Sequence, residues 1–253
     1  MPPTAVRRRC RAALVGLILA ASATLAAGSA RADEAAERER IEGVVRGLLM
    51  REPEIVYRAL QELQLKREAE EAERVRREIA ARRDQLLHDP DSPVAGDPEG
   101  TATLVEFFDY RCGYCRRMIP TIRALLEEDD ELRLVFKDLP VLGPESIVAS
   151  RAALASRRQG LYTPFHFALM EAEDLSEDAI MRIAADVGLD VGRLREDMAS
   201  PEVTATISEN YELARALGIQ GTPAFVIGET LVPGAVERPE LEALIETARQ
   251  GAG

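Results

Sequence analysis

Apolar positions are sparse and helically spaced in the first third of the chain and denser beyond it. From Asp33 to about Pro90 the pattern is helical and rich in Glu, Arg and Ala. Ile41, Val44, Val45, Leu48 and Leu49 recur on one helix face, which predicts a short amphipathic helix. Glu52-Pro53-Glu54 ends it and opens a second, with Pro53 at the first helical position, where its missing N–H costs no bond. The second helix carries Val56, Leu60 and Leu63 on one face, and later Val75 and Ile79. Between them Lys66 to Arg83 is dominated by charge, with Glu70–Arg74, Glu73–Arg77 and Glu78–Arg82 spaced as i,i+4 pairs. Such a pair adds only about 0.2–0.5 kcal/mol, so the run reads as solvated helix or stiff linker and not as core. The breaker cluster from His88 to Pro93 is the expected domain boundary.

After it, Val94 to Gly100 reads as loop, with room for a short edge strand. Residues 102–108 are an apolar run with aromatic and β-branched character and predict a buried strand. A helix over about 113–128 follows, with Pro120 inside it, where one backbone hydrogen bond is lost and a kink is expected. Leu132 to Lys137 alternates as the next strand and completes a βαβ unit, whose crossover is right-handed. Residues 144–217 are helical throughout, in five segments, one capped by Ser176-Glu177-Asp178, one starting at Asp190 and one at Pro201. Residues 224–227 and 230–232 read as strands joined by Gly228-Glu229, a type II′ hairpin, before a last helix at about 238–249. The class is α/β, and roughly 160 residues are ample for one packed domain.

The first 32 residues read as an address. Arg7, Arg8, Arg9 and Arg11 precede an apolar stretch from Ala12 to Ala27 and an A-x-A site at Ala30-Arg31-Ala32, so cleavage is expected near Ala32. The apolar stretch is short for a membrane span. Removal takes away Cys10, leaving two cysteines in a compartment where disulfides persist. It also removes five arginines and no acid, leaving 27 basic against 44 acidic residues, a net charge of −17. That balance argues against nucleic acid or an anionic membrane surface as partner.

The remaining cysteines form Cys112-Gly113-Tyr114-Cys115, between the strand at 102–108 and the helix after it. Strand, turn, CxxC and helix is the layout of a thiol–disulfide site. Unpaired N–H groups and the positive end of the helix dipole stabilise a thiolate at Cys112, to which Arg111 adds positive potential. In such settings the pKa falls to roughly 3.5–7.5, against about 8.5 for a free thiol. Cys115, one turn on, is placed to resolve a mixed disulfide. A structural bridge of so short a loop removes little unfolded-state entropy. A zinc site needs four ligands, whereas His88 and His166 lack ligand spacing, so no metal and no cofactor is assigned. Glu106 sits in the apolar strand six residues before Cys112. Burial would raise its pKa and let it relay a proton near Cys115, while simple alternation would turn it to solvent. Lys137, on the neighbouring strand, is a partner for Glu106. His166, among Phe165, Phe167 and Leu169, reads as a core histidine; Asp109 and Tyr110 read as shaping the turn.

CGYCRRMIP together with GTPAFVIG resembles the thioredoxin superfamily, and VEFFDYRCGYC resembles its DsbA/DsbC-type periplasmic branch, from about Thr101 to the C-terminus. IEGVVRGLLMREPEIVYRALQELQ is similar to the N-terminal segment of ScsC-like disulfide isomerases, which associate through it. The resemblance implies a thioredoxin fold with a helical insertion at about 144–217, preceded by a helical stalk. The expected domains are a signal peptide at 1–32, an oligomerisation segment and linker at 33–90, and a catalytic domain at 91–253. It implies a cis Pro223 facing the CxxC, with Thr222 beside the sulfurs as an edge for substrate peptide and a hydroxyl that tunes the redox balance. Gly113 and Tyr114 tune that balance too and touch substrate, and Glu106 matches the buried acid of DsbA proteins. The apolar stripe at 41–63 is then an association surface, a trimer being one candidate, although packing on the chain's own domain is an alternative. Expected partners are exported proteins with disulfides or free thiols and a membrane redox partner. Three activities stand: a periplasmic oligomeric disulfide isomerase or reductase, which the Gly-Tyr pair and Thr222 favour; a monomeric dithiol oxidase; and a copper-binding thiol protein.

Overall fold

A computed structural model describes residue 34 and residues 36–251, so the signal peptide, its cleavage site and Cys10 lie outside the described residues. Two compact units divide between Ala69 and Glu70. In the first, helix α1 spans residues 36–51. It ends where Glu52 N–H reaches Leu48 O at 2.8 Å, and Pro53 then opens helix α2, Glu54–Ala81. Among the described residues up to Ala69 none is buried. Ile41, Val44, Val45, Leu48, Leu49, Val56, Leu60 and Leu63 all remain exposed. A narrow apolar stripe along helices has too little opposing surface to form a core of its own.

The second unit begins inside α2, well upstream of the His88–Pro93 cluster. Val75 and Ile79 are buried there, and Leu86 of α3 (Arg83–Leu87) is buried beside them. The charged run is therefore not solvated throughout, as its composition suggested. One residue in four is enough to seat a helix on a sheet, and so sparse a stripe is invisible against the surrounding charge. Glu73–Arg77 and Glu78–Arg82 pair as spaced, whereas Arg74 pairs with Glu71 and donates to Ala216 O at 3.1 Å.

Five strands form the sheet: β1 (Val94–Gly96), β2 (Ala102–Phe108), β3 (Leu132–Asp138), β4 (Ala224–Ile227) and β5 (Thr230–Pro233), in the order β1-β3-β2-β4-β5. β2 and β3 are parallel, joined by α4 (Gly113–Glu128), and every other pairing is antiparallel. Gly96 ends β1 at φ 77°, and a Cβ there would meet Leu132 O at 2.2 Å, so only glycine fits. Gly228 alone of the β4–β5 turn pair has positive φ, as a type II′ hairpin requires. Between β3 and β4 come α5 (Pro144–Ser156), a 3₁₀ turn (Arg157–Gln159), α6 (Tyr162–Glu171), α7 (Glu177–Asp186), α8 (Val191–Met198) and α9 (Pro201–Leu217), with α10 (Arg238–Gly251) last. Ser176, Asp190 and Ser200 cap α7, α8 and α9 by accepting backbone N–H bonds. One face of the sheet, with Leu104, Phe108, Phe136 and Phe225, packs on α4, α10 and the inserted helices. The other, with Val105, Phe107, Val135 and Val226, packs on α2, α3 and the end of α9. Among the described residues no helix is long and apolar enough to cross a membrane.

Candidate active site

The turn between β2 and α4 is built around Asp109. Its Oδ1 accepts from Arg111 N–H at 2.7 Å and Ser146 Oγ at 2.8 Å, and its Oδ2 accepts from Leu142 N–H at 2.9 Å. Its carbonyl takes Cys112 N–H at 3.0 Å, which delivers Cys112 to the N-cap of α4. Asp109 thus shapes the turn, and does so by tying it to the loop after β3. The α4 backbone N–H groups of Gly113, Tyr114 and Cys115 then lack partners within the helix, and the sulfur sits beside them.

Both cysteines are reduced and buried, Cys112 at 6% exposure and Cys115 at none. The Cys112 thiol is pulled down to about 5. The hydrogen bond from the Cys115 thiol contributes most; burial opposes it, and Thr222 and the N–H groups of Cys115 and Tyr114 add to it. Burial pushes the Cys115 thiol far up, and the negative charges of Cys112 and Glu106 push it further. The pair is therefore divided into an anionic outer sulfur and a protonated inner one. The Arg111 guanidinium pairs with Glu145, 3.1 Å away, and donates to Leu142 O.

Thr222 and Pro223 join the cysteines in space. The Thr222–Pro223 bond is cis, and Thr222 O lies 3.1 Å from Cys112 Sγ. Gly113 opens α4 at the surface. Tyr114 stands 59% exposed, with the Arg117 guanidinium 4.1 Å above its ring. Glu106 lies opposite Phe136 on β3 and Phe225 on β4, and is 1% exposed. Neither of its oxygens has a hydrogen-bond partner, and burial, followed by the Cys112 charge, raises it to about 8. It faces the cysteine side of the sheet rather than solvent.

Lys137 does not meet Glu106. It projects to the other face, with Nζ 2.7 Å from Gln85 O and 2.9 Å from Asp89 Oδ2. The reason is parity: Phe107, not Glu106, is its register partner across the parallel ladder, and neighbours in register share a face. His166 is fully buried, as its apolar neighbours in sequence suggested. Sequence reasoning passed over Ser146 and Asp138. Asp138 was visible only as a carboxylate ending an alternating strand, and Ser146 carried no signal at all.

A parallel β-α-β unit carrying a CxxC at its helix start, faced by a cis-proline loop, defines the thioredoxin class of dithiol proteins. The chain belongs to the DSBA-like thioredoxin domain family, which it matches over residues 103–246. A thioredoxin-like oxidoreductase from Silicibacter pomeroyi DSS-3 is 48% identical, with a TM-score of 0.65, over 66% of this chain and 98% of that one. Proteus mirabilis ScsC, solved in a transitional conformation, is 31% identical, with a TM-score of 0.63, over 86% of this chain and 99% of that one. Curated relatives include the Na(+)/H(+) antiporter NhaA of Herminiimonas arsenicoxydans, 30% identical over 160 residues. That match covers 62% of this chain and 26% of the antiporter, so the chain spans about a quarter of such relatives. In fold and family the protein stands with the DsbA- and ScsC-type thiol–disulfide oxidoreductases.

Proposed function

We propose that this protein is a periplasmic thiol–disulfide oxidoreductase that isomerises or reduces disulfides of exported proteins through Cys112 and Cys115. The observation that carries the reading is the division of the pair: an outer thiolate near pKa 5 against an inner thiol kept protonated. In this reading the Cys112 thiolate attacks a substrate disulfide, and the mixed disulfide is resolved by Cys115 once it loses its proton. Glu106, buried and unpartnered on the same face, is the group placed to take that proton in its ionised form, which grows as pH rises toward 8. Thr222 offers substrate backbone a docking edge beside Cys112, and Gly113 and Tyr114 are the exposed residues it meets first. A membrane redox partner resets the pair. The wholly exposed stripe from Ile41 to Leu63 supports association of several copies, a trimer among them, which places several sulfurs near one misfolded chain.

A second reading, dithiol oxidation, draws on the same depressed thiol, because stabilising the reduced form makes the disulfide a stronger oxidant. One experiment separates the two. The mature chain is compared with a version starting at Glu70, since residues 70–90 carry Val75, Ile79 and Leu86 of the core. The isomerase reading expects an oligomer that refolds scrambled ribonuclease, and a truncated monomer that keeps dithiol reduction but loses isomerisation. A mature chain that is monomeric at micromolar concentration, and that oxidises reduced ribonuclease as well as the truncation does, transfers the assignment to the oxidase.

A further inference from the structure

Beside the cis-proline loop lies a groove of about 480 Å³ that the exchange of thiols does not itself use. Three segments line it: the loop after β3, one face of α9, and the residues leading into Thr222. Leu139 and Ala214 are buried in its lining, while Val141 and Tyr211 are exposed and Ile219 is half-buried. Neither wall is slack. Leu139 N–H reaches Phe108 O at 2.8 Å, Leu142 N–H reaches Asp109 Oδ2 at 2.9 Å, and the Tyr211 hydroxyl donates to Pro140 O. Gly218 ends α9 at φ 77°, and Ile219 N–H returns to Ala214 O at 2.9 Å, which fixes Ile219 at the helix end. The groove is thus preorganised, and an occupant has little ordering to impose on it.

Two features identify the occupant. Gly221 belongs to the lining and is bonded to Thr222, whose carbonyl lies 3.1 Å from Cys112 Sγ, so the groove is continuous with the reacting sulfur. Along that edge the N–H groups of Gln220, Gly221 and Thr222 have no backbone partner among the described residues. An open backbone edge beside an apolar groove suits an extended polypeptide, whose main chain bonds to the edge while a side chain enters the groove. The rim carries Glu212 and Arg215, one charge of each sign, which favours neither an acidic nor a basic segment.

We propose that this groove is a side-chain subsite for the polypeptide whose cysteine meets Cys112, and that it takes a large apolar residue two positions from that cysteine. The subsite rests on the dithiol reading above and adds a sequence preference to it. Alternate side chains of an extended strand share a face, about 6–7 Å apart. A substrate cysteine turned toward Cys112 therefore turns the second residue from it toward the same surface, over the groove. The residue between them faces away and is free to vary. Cysteine is among the residues most often buried in native folds, and alternate positions on a strand share that burial. The preference thus marks segments that a correctly folded substrate hides.

The test uses the intact mature chain, reduced and labelled at its valine and isoleucine methyls, titrated with capped five-residue peptides followed by NMR. Each peptide carries serine at its centre, where no disulfide can form; one has leucine at both ends and the other has serine there. The leucine peptide should move the Val141 and Ile219 signals with an affinity about tenfold or more above that of the serine peptide. In Val141→Ser, read at Ile219, and in Ile219→Ser, read at Val141, that advantage should fall below about threefold. Val141 is exposed, so the first variant keeps its fold. Equal affinities for the two peptides, or shifts confined to other methyls, overturn the proposal. Val141 and Ile219 signals that change with protein concentration alone give the groove to a second copy, and overturn it as well. Reduction of a disulfide-linked dimer of the leucine peptide, with cysteine at its centre, is measured alongside. Binding without reduction leaves the groove standing and removes the dithiol assignment, whereas reduction without binding does the reverse.

Discussion

Lys137 and Glu106 are charged side chains buried on opposite faces of the sheet, and the two are treated in opposite ways. Lys137 is enclosed at 1% exposure, with Asp89 and Gln85 on its ammonium, and Asp89 in turn accepts from Ser92. Glu106, one position along the ladder and on the opposite face, is enclosed as completely and has nothing on either oxygen. A buried charge with partners is part of the scaffold: burial lowers Lys137, and Asp89 only partly offsets it. A buried acid without partners gives up its charge instead, and is then available as a proton carrier. The difference separates a face that holds the sheet to α2 and α3 from a face that performs chemistry.

The largest effect expected on the chemical face is from Cys112→Ser, which should abolish disulfide exchange by on the order of 10³-fold or more while the fold persists. Cys115→Ser should instead accumulate mixed disulfides, visible on non-reducing gels. Equal residual turnover in both would contradict the division of the sulfurs. On the other face, Asp89→Ala leaves Lys137 buried without its counter-ion and should lower unfolding free energy by about 3 kcal/mol, read from urea midpoints. The Cys112 thiolate absorbance should titrate as before; a parallel shift would mean that the faces are not independent.

Glu106→Gln should move stability in the opposite direction, and only at high pH. The folded pKa is raised to about 8, so the acid costs nothing below its ordinary range and progressively more as pH rises from there toward 8. Replacement should therefore be neutral near pH 4 and stabilising by on the order of 2–4 kcal/mol near pH 8, with slower resolution by Cys115. A variant less stable than wild type at pH 8 would show that the carboxylate has a partner after all. A further effect concerns Cys112. Its folded pKa is depressed, so its stabilisation is fully present above the free-thiol value of about 8.5 and lost as pH falls toward 5. Reduced wild type should gain thermal stability over Cys112→Ser across that window, and a constant difference would remove the thiolate.

Most of the path of the chain was legible in residues alone. Strands at 102–108 and 132–137, the helix at 113–128, the caps at Ser176 and Asp190 and the hairpin at Gly228 are local features, set by period, capping and turn chemistry within a few residues. The CxxC announced its own chemistry, because a thiolate at a helix start needs only local backbone. What tertiary structure decided was pairing. Whether Glu106 faced Lys137 depended on the register of two strands, and register fixes parity only once the ladder is assembled. That Val75 and Ile79 leave solvent inside a charged helix depended on a sheet formed by residues far downstream. Val141, Tyr211 and Gly221 lie on three separate segments, and only the packing of α9 against the end of β3 brings them together. Local free energy writes the elements into the sequence, while the partners of a buried charge are chosen by what else is buried beside it.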